Sequence, residues 1–388
     1  MISDQYSVIP LRGLRSDKFR GRLGLQQRVL PSYRVPFFDL LAQSCEDGLS
    51  LFAGMARPEE GVTSADLLRI PYCVPAQNWN LLRGESYLCY QSGLTRWLEK
   101  TNPDALIVEA NPRYLATASA VKWMHARGRK AIGWGLGAPP LSGPFDFAQG
   151  RPVSGFRQMR RIHFLRQFDA LITYSQRGAD EYASLGFPRE KIFVAHNSVA
   201  PRPASIPDLR PLTFDKPTIL FVGRLQSRKR VDRLLRACAE MESKPRLVIV
   251  GDGLERARLE SLAKEVYPSA EFIGSKHGAA LKPHFAEADL FVLPGTGGLA
   301  VQEAMSYGLP VIVAKGDGTQ DDLIRAGNGW QIPPEDYGAL VSTMKDALSD
   351  LPRLRRMGAE SFRIVSEEIN IEKMVETFVT ALNETTGN

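Results

Sequence analysis

The sequence predicts an α/β protein of two doubly wound, parallel-sheet (Rossmann-like) domains, and three observations predict it. Short apolar runs rich in Val, Ile and Leu recur along the 388 residues; such runs mark strands buried on both faces of a parallel sheet. Amphipathic stretches of helix length separate most of them. A proline-rich segment without periodicity, "APRPASIPDLRPLTFDKP" (200–217), divides the series and reads as a linker. The length itself exceeds what one hydrophobic core usually serves.

In the first half the expected strands are 23–30, 49–54, 87–90, 105–110, 130–135, 170–175 and 192–197. In the second half they are 218–223, 246–251, 270–274, 290–294 and 310–315. The closing "INIEKMVETFVTALNET" reads as one amphipathic helix. The division expected is an amino-terminal domain over 1–200, a linker over 201–217, a carboxyl-terminal domain over 218–365, and a helical segment over 366–388 able to cross back to the first domain. Sheets of this kind bind ligands at the carboxyl ends of their strands, here expected in a cleft across which the two domains face one another.

The composition, 44% hydrophobic and 24% charged, is that of an ordinary globular protein. No apolar run approaches the roughly 20 residues that cross a bilayer, and the polar start "MISDQYSVIPLRGLRSDKFRGR" lacks a signal-peptide apolar core. A cytoplasmic protein is expected, with a peripheral position at the inner face of the membrane left open. Cys45, Cys73, Cys89 and Cys238 have no metal-ligand spacing and read as small buried hydrophobes. Residues 1–200 carry 25 Lys and Arg against 17 Asp and Glu, the remainder 24 against 26. The basic first half suits an anionic partner such as membrane lipid or acidic glycan; a solvated basic face accounts for it as well. No nucleic-acid module is recognisable.

Several stretches carry chemistry. "FVGRLQSRKRVDRLL" ends a strand at Gly223, sets Arg224 and Lys229 in a loop and then opens a helix. A cationic pair beside a helix start suits a diphosphate; an ordinary basic loop is the alternative. In "VIVGDGLERARLE", Gly251 and Gly253 permit a tight turn and close ligand approach, or a plain turn with Asp252 as helix cap. "AIGWGLGAPP" satisfies a relaxed dinucleotide fingerprint at Gly133, Gly135 and Ala138, but Pro139–Pro140 deny the helix that fingerprint needs. Its Trp134 and Leu136 are expected to be exposed and to line a cleft. "IVEANPRYLAT" sets Glu109, Asn111 and Arg113 just past a buried strand, placed to hold hydroxyls or act as a base; alternatively Asn111 caps the next helix and Glu109 pairs with Arg113. "GFRQMRRIHFLRQF" (155–168) is a basic amphipathic helix, suited to an anionic membrane or to a core with a basic outer face. The five histidines show no metal spacing, and no Asp-x-Asp or Gly-x-x-x-x-Gly-Lys-Ser/Thr occurs, so no metal site is expected.

Taken together these residues resemble the retaining, nucleotide-sugar-dependent glycosyltransferases of family 4, which have the GT-B fold. The resemblance is strongest over 218–334, where "ILFVGRLQSRKRVDRLLRA", "LVIVGDG", "FIGSKHGAALKPHFAEADLFVLPG" and "VQEAMSYGLPVIV" appear in family order. "FDALITYSQRGADEYASLGFPREKIFVAHNSV" and "LPSYRVPFFDLLA" extend it into the first half. The resemblance implies that Arg224 and Lys229 hold the donor diphosphate, with Gly223 and Gly253 also in the donor site, that Glu303 accepts hydrogen bonds from the ribose, and that Ile273, Gly274 and Lys276 edge the base. It further implies that the amides of Gly297, Gly298 and Leu299 face the sugar and phosphate, while Arg34, Asn111, Arg113, Trp134 and Leu136 fall on the acceptor side. Two departures stand out. The family's paired glutamates, separated by seven residues, are reduced to Glu303, with Gly295 at the first position, as in a variant branch; and Leu136 stands where many members carry a histidine.

The expected reaction is a metal-independent, retaining transfer of a hexose-type sugar to an acceptor hydroxyl on a glycan, glycolipid or small molecule. The resemblance implies no cofactor, and a donor linked to UDP rather than GDP. Arg224 and Lys229 would stabilise charge on the departing phosphate, with Glu109 as a candidate base. The alternatives are a nucleotide-sugar epimerase of the same fold and a non-catalytic nucleotide- or glycan-binding protein.

Overall fold

The computed structural model describes residues 18–60, 62–82, 87–138, 145–146, 151–152, 155–205, 216–295, 297–316 and 318–387. The polar start (1–17) and most of the expected linker (206–215) lie outside the described residues. Those described divide into two compact units, one within Tyr6–Asn197 and Glu372–Asn388, the other within Ser198–Ile371.

The amino-terminal unit contains β1 (Leu23–Gln27), β2 (Leu49–Ala53), β3 (Cys73–Pro75), β4 (Gln77–Leu81), β5 (Leu88–Ser92), β6 (Ala105–Glu109), β7 (Lys130–Gly135), the short pair β8 (Phe145–Asp146) and β9 (Arg151–Pro152), β10 (Ala170–Thr173) and β11 (Ile192–Val194). Its main sheet runs β11-β10-β7-β6-β1-β2-β3, with every pairing parallel. The order reverses between β1 and β6, as in a doubly wound fold. All five residues of β1 are buried, which needs cover on both faces. The helices of this unit are α1 (Val35–Gln43), α2 (Leu94–Thr101), α3 (Thr117–His125), α4 (Gly155–Leu165) and α5 (Gln176–Ser184), of which α2 packs on β2, α3 on β6 and β7, and α5 on β10 and β11.

Two expectations about this unit change. The run at 87–90 was expected among the parallel strands; β5 instead pairs antiparallel with β4 in a separate two-stranded sheet, Trp79 opposite Tyr90. The alternation of buried and exposed residues in β5 is that of a half-covered strand. The second concerns β3 and β4, which sequence reasoning did not anticipate: "CVPAQNWNL" is polar and mostly exposed, so it carries no buried-strand signal.

The carboxyl-terminal unit holds β12 (Thr218–Val222), β13 (Arg246–Val250), β14 (Glu271–Gly274), β15 (Leu290–Leu293), β16 (Val311–Ala314) and β17 (Gly329–Ile332). They form one parallel sheet in the order β14-β13-β12-β15-β16-β17. Numbered within the sheet this is 3-2-1-4-5-6, the dinucleotide-fold order, with its reversal between β12 and β15. Between and after the strands come α6 (Val231–Ala239), α7 (Arg256–Val266), α8 (Lys282–Glu287), α9 (Ala300–Ser306), α10 (Tyr337–Leu348) and α11 (Leu351–Arg363). Gln302 ties this unit together: its Oε1 accepts from the Val199 and Ala200 amides at 2.7 and 3.1 Å, and its Nε2 donates to the Ile369 carbonyl at 2.7 Å. The final helix, α12 (Ile371–Thr386), belongs from Glu372 onward to the amino-terminal unit. There Phe378 packs edge-on against Phe37 and Trp134, ring centres 5.0 and 4.9 Å apart.

Candidate functional site

Two groups of residues collect at the carboxyl ends of strands, one in each unit. In the carboxyl-terminal unit the loops after β12, β13, β14 and β15 meet. The Gly223 amide donates to the Val250 carbonyl (3.0 Å), the Leu225 amide to Asp252 (2.9 Å) and the Gly251 amide to Gly274 (2.9 Å). Lys229, in a single 3-10 turn, donates from Nζ to the Gly297 carbonyl. Thus Gly223, Arg224, Lys229, Gly253, Gly274 and Gly297 form one continuous rim, with Ile273 half-buried and Lys276 exposed beside it.

Bare backbone is a packing requirement here. A Cβ on Gly251 would collide with the Gly223 carbonyl, and one on Gly295 would stand 2.5 Å from Lys229 Cα. Real Cβ atoms do not tolerate such approach, so Gly295 is the position where the strand-end turn and the 228–229 backbone touch. A glutamate there has no room unless the backbone moves. This accounts physically for the missing first acid. Gly297, at φ +66°, occupies the left-handed region that favours glycine.

Burial governs the charges. The Lys229 ammonium is pushed down to about 8 by burial, then by the nearby Arg228 and Arg224 charges. Burial raises the half-buried Glu303 carboxyl above its ordinary range. Glu303 stands in the first turn of α9, a helix of only seven residues whose dipole contributes little. Asp252 does not cap α7 as the sequence reading allowed. Its Oδ1 accepts from the Gly253 amide at 2.7 Å and its Oδ2 pairs with Arg256 at 3.1 Å, while Glu255 holds the cap position.

The second group surrounds a pocket of about 520 Å³ whose lining lies wholly in the amino-terminal unit. Glu109, Arg34, Asn111, Arg113, Trp134 and Leu136, all singled out in the sequence, line it together. Glu109, the last residue of β6, accepts a hydrogen bond from the Arg28 amide. Burial pushes its carboxyl up to about 7, opposed by that hydrogen bond and the Arg28 charge. The anticipated Glu109–Arg113 pair does not form, and Asn111 caps no helix: its Oδ1 accepts from the Arg113 amide at 3.0 Å, while α3 starts only at Thr117. Arg34 is buried, donates to Asn197 Oδ1 and to Met374 Sδ, and lies over the rings of Tyr174 (5.4 Å), Tyr33 (5.8 Å) and Trp134 (6.0 Å).

Leu136 is exposed as expected, but Trp134 is not. In β7 its side chain points into the cluster of Phe37, Phe38, Tyr174 and Phe378. Gly133 and Gly135 point to the other face, where Phe168, Leu171 and Tyr182 leave no space for a Cβ. The glycines of the fingerprint-like stretch are thus packing residues. Sequence reasoning missed Tyr33, Tyr174, Asn197 and Arg161 as pocket lining. Arg161 belongs to the basic helix at 155–168, which as α4 ends at Leu165; it faces the pocket while Phe164 and Leu165 are buried. The side chains of Phe156 and Arg157 lie outside the described residues.

Among the described residues, no cluster of His, Cys, Asp or Glu has metal-holding geometry and no helix is long and apolar enough to cross a membrane.

Comparison with known proteins adds a family pattern. Residues 210–363 match the family model described as glycosyl transferases group 1. A GDP-mannose-dependent alpha-mannosyltransferase of Mycobacterium tuberculosis is 38% identical over 151 residues, 38% of this chain and 38% of that protein. The sulfoquinovosyl transferase SQD2 of Arabidopsis thaliana is 32% identical over 142 residues, 35% of this chain and 27% of that protein. The chain thus spans under two-fifths of the length of these curated relatives. Among solved structures, the lipopolysaccharide outer core galactosyltransferase WaaB superposes with a TM-score of 0.68 at 14% identity, covering 94% of this chain and 99% of that one. Anabaena HepE in complex with UDP gives 0.67 at 16% identity, covering 94% and 99%. Residues 210–363 therefore carry the sequence pattern of the group 1 glycosyl transferases, within a chain whose fold is the GT-B fold of two Rossmann-like domains.

Proposed function

We propose that the protein transfers a hexose-type sugar from a nucleoside diphosphate sugar to an acceptor hydroxyl, with retention of anomeric configuration and without a metal ion. The observation that carries this reading is Lys229. A buried ammonium, fixed on the Gly297 carbonyl beside Gly223 and Arg224, is a preorganised cation at the carboxyl edge of a Rossmann-like sheet.

The difficult step is loss of the nucleoside diphosphate from the anomeric carbon, as negative charge grows on the departing phosphate oxygen. Lys229 and Arg224 supply positive charge there without reorganisation, which is where an enzyme gains most. Diphosphate binding also returns a counter-charge to Lys229, favouring its charged form. Glu303 is assigned to the ribose hydroxyls, and Ile273, Gly274 and Lys276 to the base. Glu109, with a proton affinity near neutrality, is assigned to the acceptor hydroxyl, where its pKa suits proton transfer at cellular pH. Metal independence rests on the absence of an Asp-x-Asp clamp from the sequence.

The nucleotide is tested with two arms. The resemblance favours UDP, whereas the mannosyltransferase named above, which matches over part of the chain, uses GDP-mannose by its name. A thermal-shift panel of UDP- and GDP-linked sugars is expected to single out one nucleotide, since a ligand at 100 times its Kd adds about 2.7 kcal/mol of stability. Product analysis of that donor, with and without acceptor and chelator, then separates transfer from epimerisation. No stabilisation by any nucleotide sugar would overturn the reading.

A further inference from the structure

The pairing of β1 with β6 stops short of Glu109. Its register runs from Leu23–Ala105 to Leu25–Ile107, and beyond that point other groups take over. The Glu109 amide donates to Gln26 Oε1 at 3.2 Å, and the Glu109 carboxyl accepts from the Arg28 amide. The Arg28 guanidinium is committed elsewhere, to Glu60 at 3.0 and 3.1 Å and to the Tyr114 hydroxyl at 3.2 Å. It is the main-chain N–H of Arg28 that reaches Glu109.

Three side-chain amides fix that piece of main chain. Gln91 of β5 lies opposite Asn78 of β4. Gln91 Oε1 accepts from Gln26 Nε2, and Gln91 Nε2 donates to the Gln27 carbonyl (3.0 Å) and to Asn78 Oδ1 (2.8 Å). Asn78 Nδ2 in turn donates to the carbonyls of Arg28 (2.7 Å) and Met55 (3.2 Å). Gln26 and Gln91 are 2% and 4% exposed, and burying such groups without these bonds would be costly. Gly54 makes the room, because a Cβ there would occupy the place of the Asn78 amide. The β4–β5 hairpin, a sheet of its own, is thereby bonded to residues 26–28, and through them to both the amide and the carboxyl of Glu109.

We propose that Gln26, Gln91 and Asn78 are positioning residues: they hold the Arg28 amide on the Glu109 carboxylate, and so decide where that carboxylate points and how well its negative form is held. The inference rests on the assignment of Glu109 to the acceptor hydroxyl. A hydrogen bond to the charged form favours ionisation, against the burial that opposes it. The other groups that act on Glu109 or share its pocket do not titrate with it. Burial raises Cys89, Tyr114 and Tyr174 above their ordinary ranges, which keeps them neutral near pH 7, and Arg28, Arg34, Arg113 and Arg161 are guanidinium groups.

The test follows the infrared band of the protonated Glu109 carboxyl in the full-length protein, taken as the part lost in Glu109→Gln. In wild type the band is expected to disappear as pH rises through about 7. Gln91→Met and Asn78→Ala should each move that midpoint up by roughly one pH unit, the loss of one hydrogen bond to a charged group. The inflection of the pH–rate profile should move with it, so that transfer falls roughly five-fold at pH 7 and recovers at higher pH. Trp79→Phe, which removes only the bond from Nε1 to Ser92 Oγ at 3.2 Å, should change neither. Asn78 is half-buried, so its variant serves if Gln91→Met fails to fold. A midpoint unmoved or lowered in the amide variants overturns the proposal, as does a rate reduced equally at every pH with the inflection in place. If the carboxyl midpoint rises but the rate profile does not follow it, the positioning stands and the assignment of Glu109 to the acceptor hydroxyl fails.

Discussion

The two units share one fold and build their strand-end sites in opposite ways. The carboxyl-terminal rim is made of backbone: Gly251 touches Gly223, Gly295 touches Lys229, and one buried lysine bonds a carbonyl. The amino-terminal pocket is made of side chains, with Arg34 on aromatic rings and Glu109 at the end of β6. The buried charges also move in opposite senses, Lys229 down to about 8 and Glu109 up to about 7. Each is pushed toward neutrality by the same burial. A backbone site is fixed and specifies the constant part of a substrate; a side-chain pocket can vary with the partner it serves.

The comparison breaks most readily at the glycines. Gly251→Ala or Gly295→Glu forces a Cβ into main chain and is expected to destabilise the carboxyl-terminal unit by about 3 kcal/mol or more. Gly186→Ala, where a Cβ meets nothing within 4 Å, loses only about 1 kcal/mol to its positive φ. Urea midpoints of the three variants test this. A Gly295→Glu protein as stable as wild type would remove the packing explanation for the missing acid.

Lys229→Ala should separate function from stability. Loss of one preorganised donor is expected to lower kcat/KM by about 2–4 kcal/mol of transition-state stabilisation. Stability should not fall in parallel. A lysine depressed from 10.5 to about 8 destabilises the fold below pH 8, by at most about 3 kcal/mol, and the penalty fades as pH rises toward 10.5. The variant should therefore be no less stable than wild type at pH 7, with the difference vanishing above pH 10.

For Glu109 the sign reverses. Its carboxyl is raised from 4.5 to about 7, so the native state holds its proton more tightly than the unfolded chain. Stability is then lost as pH rises from 4.5 through 7, by up to about 3 kcal/mol, and Glu109→Gln should remove that slope. Sugar transfer should fall about a hundred-fold in the same variant and lose its inflection near pH 7. An unchanged pH–rate profile would leave Glu109 a structural residue. The smallest effect belongs to Leu136→Ala, on an exposed residue of the pocket rim: stability within about 0.5 kcal/mol of wild type, with any change confined to KM for acceptor.

The difference between the units also decides what could be read from the sequence. Strands such as β7 and β12–β16 are continuous apolar runs whose ends fell within two residues of expectation. The carboxyl-terminal rim was legible because each of its glycines and cations lies at, or a few residues beyond, the end of an apolar strand. The pocket was half legible. Glu109, Asn111 and Arg113 follow a buried strand, but Tyr33, Tyr174 and Asn197 come from separate segments and carry no local signal. Trp134 was misplaced because alternation in a strand flanked by glycines does not say which face is packed. Gln302, next to Glu303 in the sequence, is a structural tie between residues 199–200 and 369 that only the folded chain reveals.

The central claim, that the rim around Lys229 and Glu303 holds a nucleoside diphosphate, is tested most directly by calorimetric titration of UDP and of GDP into wild type and Glu303→Gln. A hydrogen bond to a charged group contributes about 1.5–3 kcal/mol, so the account predicts that one nucleotide binds wild type and that Glu303→Gln weakens it ten-fold or more. Equal affinity in both proteins, or no binding of either nucleotide to wild type, would contradict it.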